Sequence, residues 1–370
     1  MKKIQFINCW PNLNTAWSGT PNGLYTALSE KCGIAEMHIC PPKSNNKLAR
    51  KIYHILDLLS CQILSSHTIS KTIDCDNLVD EDAPVLAFGE YLSKVRKNTY
   101  CFQDMSVDHM IRNREKRTIE SLYMINRKVP TASMKLKQLS CSKFYQECAG
   151  IFTMSEWLKK DLVQKTGVPE HKVHHVGGGC NVDITQIDDS RRNGKRFLYV
   201  GINWKRKNGE LVVEAFEKLK TVYPCEALEL YVVGPNEKPE CIKEQKGIYF
   251  LGRLSRNELV EYYNLCDYFV MPSRYEAYGL VFAEALCFGL PCIGKNLCAM
   301  PEFIQEGENG YLIENDDADE LCTAMGKLFM NGKEMADKLA EKRNFYVEKY
   351  SWNSVADRII DVMRQDGFCV

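Results

Sequence analysis

The stretch Met271-Pro-Ser-Arg-Tyr-Glu-Ala-Tyr-Gly-Leu-Val-Phe-Ala-Glu284 sets two carboxylates, Glu276 and Glu284, around a run of small and apolar residues. It reads as a strand end, a tight loop and the first turns of a helix. Gly279 lets the backbone approach a ligand with no side chain in the way. The amides of Ala277, Tyr278, Gly279 and Leu280 fall at the helix N-terminus, where donors without helical partners suit a phosphate. Carboxylates accept hydrogen bonds, and a sugar or ribose offers hydroxyls in pairs. Phosphate-binding amides between two hydroxyl-binding acids describe a nucleotide-sugar site. On spacing alone, the alternative is a solvated amphipathic helix carrying two surface glutamates.

The flanking residues widen the pattern: Pro272-Ser273, Glu284-Ala285, Gly289-Leu-Pro-Cys-Ile-Gly294, Pro301-Glu302 and Gly307-Glu-Asn-Gly310. Together with Glu276 and Gly279 they resemble the donor half of family 4 retaining glycosyltransferases of the GT-B fold. The resemblance is good over residues 195–330 and loose over the N-terminal half. It implies an α/β fold of two Rossmann-like domains facing a central cleft. Residues 1–180 would bind the acceptor and residues 181–351 the nucleotide sugar, with a helix over residues 352–367 packed back on the first domain.

The resemblance also implies roles. Glu276 would bind the hydroxyls of the transferred sugar and Glu284 the ribose. In Gly201-Ile-Asn-Trp-Lys-Arg-Lys-Asn-Gly209, Lys207 falls on the family's lysine, while Ile202 replaces its arginine. Arg206 or Lys205 is then left to supply the second charge. Such charges suit a diphosphate leaving group, on which negative charge develops in the transition state. The alternative for this loop is a solvated basic turn. Gly252-Arg253-Leu254 corresponds to a loop whose backbone meets the nucleobase. Ser18-Gly19-Thr20 loosely matches a loop facing the donor phosphates and the acceptor. Many members carry a histidine after one N-terminal strand; here Asp104 stands there, with His109 five residues on. Asp104 is read as a polar contact to donor sugar or acceptor, the alternative being a helix cap.

Under this reading the protein is a metal-independent transferase with no cofactor, its nucleotide-sugar donor being a substrate. The acceptor would be a saccharide or a lipid-linked sugar of a cell-surface polysaccharide or glycolipid. A GT-B nucleotide-sugar epimerase and a non-catalytic nucleotide-sugar-binding protein are the other readings.

Composition is compatible with this. A chain of 370 residues supports about two domains with sizeable cores. Lys plus Arg total 48 and Asp plus Glu total 48, so nothing global calls for nucleic acid. The 17 cysteines are scattered and form no CxxC pair, which points to reduced thiols. With no leader-like opening and no apolar run of membrane-spanning length, a cytoplasmic protein is expected.

The positioning elements follow from hydrophobic patterning. Short apolar runs at 3–9, 83–89, 99–106, 151–154 and 173–176 read as buried strands of a parallel sheet, with helices over 23–31 and 156–166. Gly177-Gly-Gly-Cys-Asn-Val-Asp183 reads as the hinge. A second β/α series begins at Arg196: strands at 197–201, 227–234, 247–252 and 268–272, and helices at 208–220, 255–266, 318–330 and 333–347. The basic amphipathic segment 43–66 and the cations of 107–147 either cover a sheet or rest peripherally on an anionic inner membrane face. Asp74-Cys-Asp76 and the trio His171, His174 and His175 are expected to hold no metal, lacking a phosphate loop or a partner set.

Overall fold

The computed structural model describes residues 3–8, 12–14, 16–38, 51, 82–89, 95–116, 131–188, 190, 192–237, 239–240, 242 and 245–370. They form two compact units: Met1–Gly178 together with Trp352–Val370, and Gly179–Ser351.

The first unit is built on a six-stranded sheet, β1 (Ile4–Asn8), β2 (Ile34–His38), β3 (Val85–Phe88), β4 (Thr99–Gln103), β5 (Gly150–Thr153) and β6 (Val173–His175), in the order β2-β1-β3-β4-β5-β6. Every pairing is parallel. Strands covered by helices on both faces are apolar throughout rather than alternating, and β1, β3, β4 and β5 are buried at each position. Among the described residues the covering helices are α1 (Thr20–Lys31), α2 (Val107–Lys116), α3 (Thr131–Glu147) and α4 (Glu156–Asp161), which runs on into a wide turn over Leu162–Thr166.

The second unit repeats the plan. Strands β7 (Arg196–Val200), β8 (Glu229–Val233), β9 (Ile248–Gly252), β10 (Tyr268–Val270), β11 (Cys292–Lys295) and β12 (Gly310–Ile313) lie in the order β12-β11-β10-β7-β8-β9, again all parallel. Its helices are α5 (Gly209–Val222), α6 (Arg256–Leu265), α7 (Leu280–Cys287), α8 (Ala318–Glu341) and α9 (Arg343–Lys349). Two helices expected at 318–330 and 333–347 are replaced by one of 24 residues that continues through Asn331-Gly332. The glycine is a packing contact rather than a break: a Cβ on Gly332 would lie 2.3 Å from the Tyr268 ring. Tertiary contact thus overrides the local cost of a helical glycine, roughly 1 kcal/mol.

The last helix, α10 (Trp352–Gln365), belongs to the first unit. Its Trp352 indole lies over Gly23 of α1, where a Cβ would sit 2.2 Å from the ring nitrogen. Arg358 Nε donates to the Val176 carbonyl at 2.7 Å. The segment 43–66 (apart from Lys51), Asp74, Asp76 and the cations Arg117, Arg127 and Lys128 lie outside the described residues. No described helix is long and apolar enough to cross a membrane.

Candidate active site

Strand order brings the first charges together. β7 and β10 are neighbouring parallel strands, with Phe197 opposite Tyr268 and Leu198 opposite Phe269. The loops that leave their carboxyl ends, 201–208 and 271–279, therefore emerge side by side, where open α/β sheets bind ligands. The two are stitched directly. The Arg274 amide donates to the Arg206 carbonyl at 2.9 Å. Ser273 Oγ bridges the Arg206 and Tyr275 carbonyls at 3.2 and 2.8 Å. Arg274 Nη1 reaches the Lys205 carbonyl at 2.8 Å.

Asp316, just past β12, fixes this junction from below. It takes Arg274 Nε at 2.5 Å, Lys295 Nζ at 2.8 Å and Asn208 Nδ2 at 3.0 Å. Burial opposes its charge, yet Lys295 and Arg274 outweigh that and hold its carboxyl below the usual range. Nothing in its sequence neighbourhood singles out Asp316; its partners lie 21, 42 and 108 residues away.

Inside this frame Lys207 Nζ pairs with Glu276 Oε2, and Arg206 Nη1 lies 3.4 Å from the same oxygen while donating to the Tyr275 carbonyl at 2.6 Å. Lys207 is 8% exposed and Glu276 9%. Burial alone would push the Glu276 carboxyl up, but Lys207 and Arg206 together hold it below the ordinary glutamate range. Burial pulls Lys207 down, and Glu276 offsets this only in part. The cluster carries one positive charge in excess of its carboxylate, inside a place that excludes bulk water. Such a site is poised for an anion.

Gly279 is the N-cap of α7 at φ 101°, a left-handed conformation that suits glycine. A side chain there would crowd Phe282 at 2.9 Å and Glu276 Cγ at 3.1 Å. Ala277, Tyr278 and Leu280 complete the turn into the helix.

Glu284 lies one helical stretch further on, 5% exposed. It accepts from the Tyr263 hydroxyl of α6 at 3.0 Å and from the Asn181 amide at 3.3 Å. Burial raises its carboxyl to about 7, with Tyr263 and Asn181 opposing only partly. The alternative of a solvated helix with surface glutamates is therefore overturned for both acids. Sequence reading missed Tyr263 and Asn181, whose positions relative to Glu284 depend on helix packing.

A stability signature follows. The folded-state value of about 7 lies above the unfolded one of about 4.5, so the folded chain binds this proton more tightly between them. The favourable contribution is complete below about pH 4.5 and is lost as pH rises through 7. Glu284→Gln should gain stability relative to the natural chain over that window, by up to about 3 kcal/mol at its upper end. Urea denaturation at pH 4.5 and 7.5 reads it; a pH-independent difference would contradict a buried, weakly compensated carboxyl.

The remaining candidates sit elsewhere. Arg253 is exposed and Leu254 half-buried at the carboxyl end of β9, two strands from β7. Gly19 and Asp104 belong to the first unit, Gly19 at the N-terminus of α1 and Asp104 at the carboxyl end of β4. Gly19 caps α1 at φ 89°, after Trp17 and Ser18 that are also left-handed, at φ 44° and 56°. Asp104 is half-buried, and the helix cap is Ser106, whose Oγ accepts from the His109 amide at 3.1 Å. His109 is buried with Nδ1 3.0 Å from Asp161 and its ring against Trp157, while Asp161 also pairs with Arg112. That histidine is engaged in the interior of the first unit. Among the described residues no group of three or more His, Cys, Asp or Glu is arranged to hold a metal.

Both units have the GT-B Rossmann-like plan, and the comparisons agree with it. Residues 194–331 match the protein family described as Glycosyl transferases group 1. The chain is 26% identical over 178 residues to the D-inositol 3-phosphate glycosyltransferase of Corynebacterium urealyticum, covering 45% of this chain and 42% of that one. It spans between 29% and 60% of the length of the first curated relatives it matches. In structure it is similar to the sucrose-phosphate synthase of Thermosynechococcus elongatus, with a TM-score of 0.65 at 14% identity, over 99% of both chains. It is equally similar to WaaG, a glycosyltransferase involved in lipopolysaccharide biosynthesis, with a TM-score of 0.65 at 14% identity, over 97% of this chain and 99% of that one. At that identity the likeness concerns the fold.

Proposed function

We propose that the chain is a retaining glycosyltransferase that moves a sugar from a nucleoside-diphosphate sugar to a saccharide or lipid-linked acceptor. The observation that carries this reading is the buried cluster of Lys207, Arg206 and Glu276 at the carboxyl ends of adjacent parallel strands. The match of residues 194–331 to a glycosyltransferase family supports it.

In this mechanism the donor diphosphate is drawn to Lys207, Arg206 and the turn at 277–280. Glu276, partly released from its cations, accepts the hydroxyls of the sugar. Glu284 accepts those of the ribose, and the loop carrying Arg253 and Leu254 meets the base. The bond from the anomeric carbon to the diphosphate oxygen breaks, and the charge left on the phosphate is balanced by Lys207 and Arg206. The acceptor oxygen bonds to the same face of that carbon, and its proton passes to the leaving phosphate. No protein nucleophile takes part. Gly19 and Asp104 are assigned to the sugar and acceptor side. By likeness to WaaG, which is involved in lipopolysaccharide biosynthesis, the acceptor is assigned to the cell envelope. The protein is then cytoplasmic, working at the inner membrane face when its acceptor is lipid-linked.

The test is a thermal-shift panel of UDP-, GDP- and ADP-sugars followed by NMR of the product formed with saccharide acceptors. One base class should stabilise the chain, since ligand binding adds to folding by mass action, and the product should keep the donor's anomeric configuration. An inverted product, or consumption of donor to an epimer with no acceptor present, would overturn the proposal. Transfer should also persist in excess chelator, because the cations named above carry the diphosphate charge. Loss of activity with chelator, restored by manganese or magnesium, would refute metal independence.

A further inference from the structure

Tyr199 lies in β7, beneath the loop that carries Lys207, and is fully buried. Its ring packs edge-on against Trp204 at 5.6 Å between centroids. Among the described residues its hydroxyl has no hydrogen-bond partner. A buried hydroxyl left unpaired costs roughly 1–3 kcal/mol, so each such group in a folded protein calls for a reason.

The location supplies one. A Cβ on Gly201 would lie 2.9 Å from the Tyr199 hydroxyl and 2.9 Å from Lys207 Cβ. The hydroxyl is therefore beside the stem of the lysine that neutralises Glu276. The charges that act on it are those of Arg206, which favours its ionised form, and Glu276, which opposes it. Burial pushes the phenol far above its ordinary range, so it stays protonated and available as a donor. The groups facing Glu276 are Lys207 and Arg206, both bonded to the single oxygen Oε2.

We infer that Tyr199 is a positioning residue that donates its hydroxyl hydrogen to Glu276 once the donor diphosphate draws Lys207 away. The inference rests on the function proposed above. In the pocket as it stands, Lys207 holds Glu276 ionised. When the lysine turns to the diphosphate, the buried carboxylate loses its main partner at the moment it must accept sugar hydroxyls. A carboxylate that loses a donor in a dry place drifts towards its protonated form. The Glu276 carboxylate, released from Lys207, swings on its own side-chain torsions to the phenol, whose O–H turns to it and supplies the missing donor without adding charge. The hydroxyl, unpaired in one state, is paired in the other.

Tyr199→Phe tests this. Thermal stability should be unchanged or higher, because an unpaired polar atom is removed from the interior. Nucleoside-diphosphate affinity, by calorimetry, should stay within about twofold. The kcat for transfer should fall roughly ten- to a hundredfold, as for one lost hydrogen bond to a charged group. The acid limb of the kcat–pH profile should move up by about one unit, since Glu276 in the donor complex is then more easily protonated. An unchanged kcat and acid limb in an otherwise active protein would overturn the inference alone. A lowered melting temperature with an unmoved acid limb would make Tyr199 a packing residue and overturn it equally. If the natural chain binds no nucleoside diphosphate, the enzyme assignment falls and takes this one with it.

Discussion

Lys207→Ala is expected to cut sugar-transfer turnover by roughly a hundredfold or more, in the range seen when one transition-state electrostatic group is lost. The lysine ammonium is buried against Glu276, at the mouth of β7 and next to the loop of Glu276. Its charge gains most as the bond to the diphosphate breaks, so kcat should suffer more than donor affinity. The substitution has a second consequence. It leaves Glu276 buried with Arg206, at 3.4 Å, as its remaining charged partner among the described residues. Breaking one side of a buried pair costs about 3–5 kcal/mol, so a folding defect has to be separated from a catalytic one. The double variant Lys207→Met/Glu276→Gln removes both charges and should recover most of the lost stability while remaining inactive. Near-full transfer by a folded Lys207→Ala chain would show that this loop does not meet the diphosphate.

Glu276→Gln is expected to lower turnover by about a hundredfold while nucleoside-diphosphate affinity holds or increases. Here the sign is set by the ion-pair geometry. Glu276 holds Lys207 and Arg206; in the proposed mechanism the diphosphate competes for them, so neutralising Glu276 releases two cations for the phosphates. The sugar hydroxyls, by contrast, lose a charged acceptor, and a hydrogen bond to a charged group is worth about 1.5–3 kcal/mol. Calorimetry with the nucleoside diphosphate alone, beside kinetics with the full donor, separates the two. Parallel losses of affinity and turnover would place Glu276 at the phosphates or in the fold, not at the sugar.

A structural economy links these expectations. The pocket satisfies its buried charges internally through Lys207 and Glu276, which keeps an isolated charge out of a dry interior. In the proposed mechanism, binding then rearranges pairs already present. Asp316 bears on this indirectly, since it anchors Arg274, Lys295 and Asn208 around the loop that holds the lysine.

The amino-acid sequence by itself determined the α/β class and most of the buried strands in each half, though not those at 34–38, 292–295 and 310–313, and it singled out the stretch from Met271 to Glu284 as a candidate site. Those features are local. Buried parallel strands are continuous apolar runs, and a glycine before a helix beside two acids is a short-range pattern. Tertiary structure alone decided how the charges are paired and buried. Lys207 and Glu276 are 69 residues apart in the chain and meet because β10 lies beside β7. Glu284 is raised to about 7 because packing buries it and supplies Tyr263 and Asn181 as its partners. The helix through Gly332 stays whole because Tyr268 fills the space a side chain would need. His109, suggestive by its position after Asp104, is committed to Asp161, 52 residues further on. In each case the deciding quantity is a distance or a degree of burial between segments remote in sequence, which residue types and local spacing do not encode.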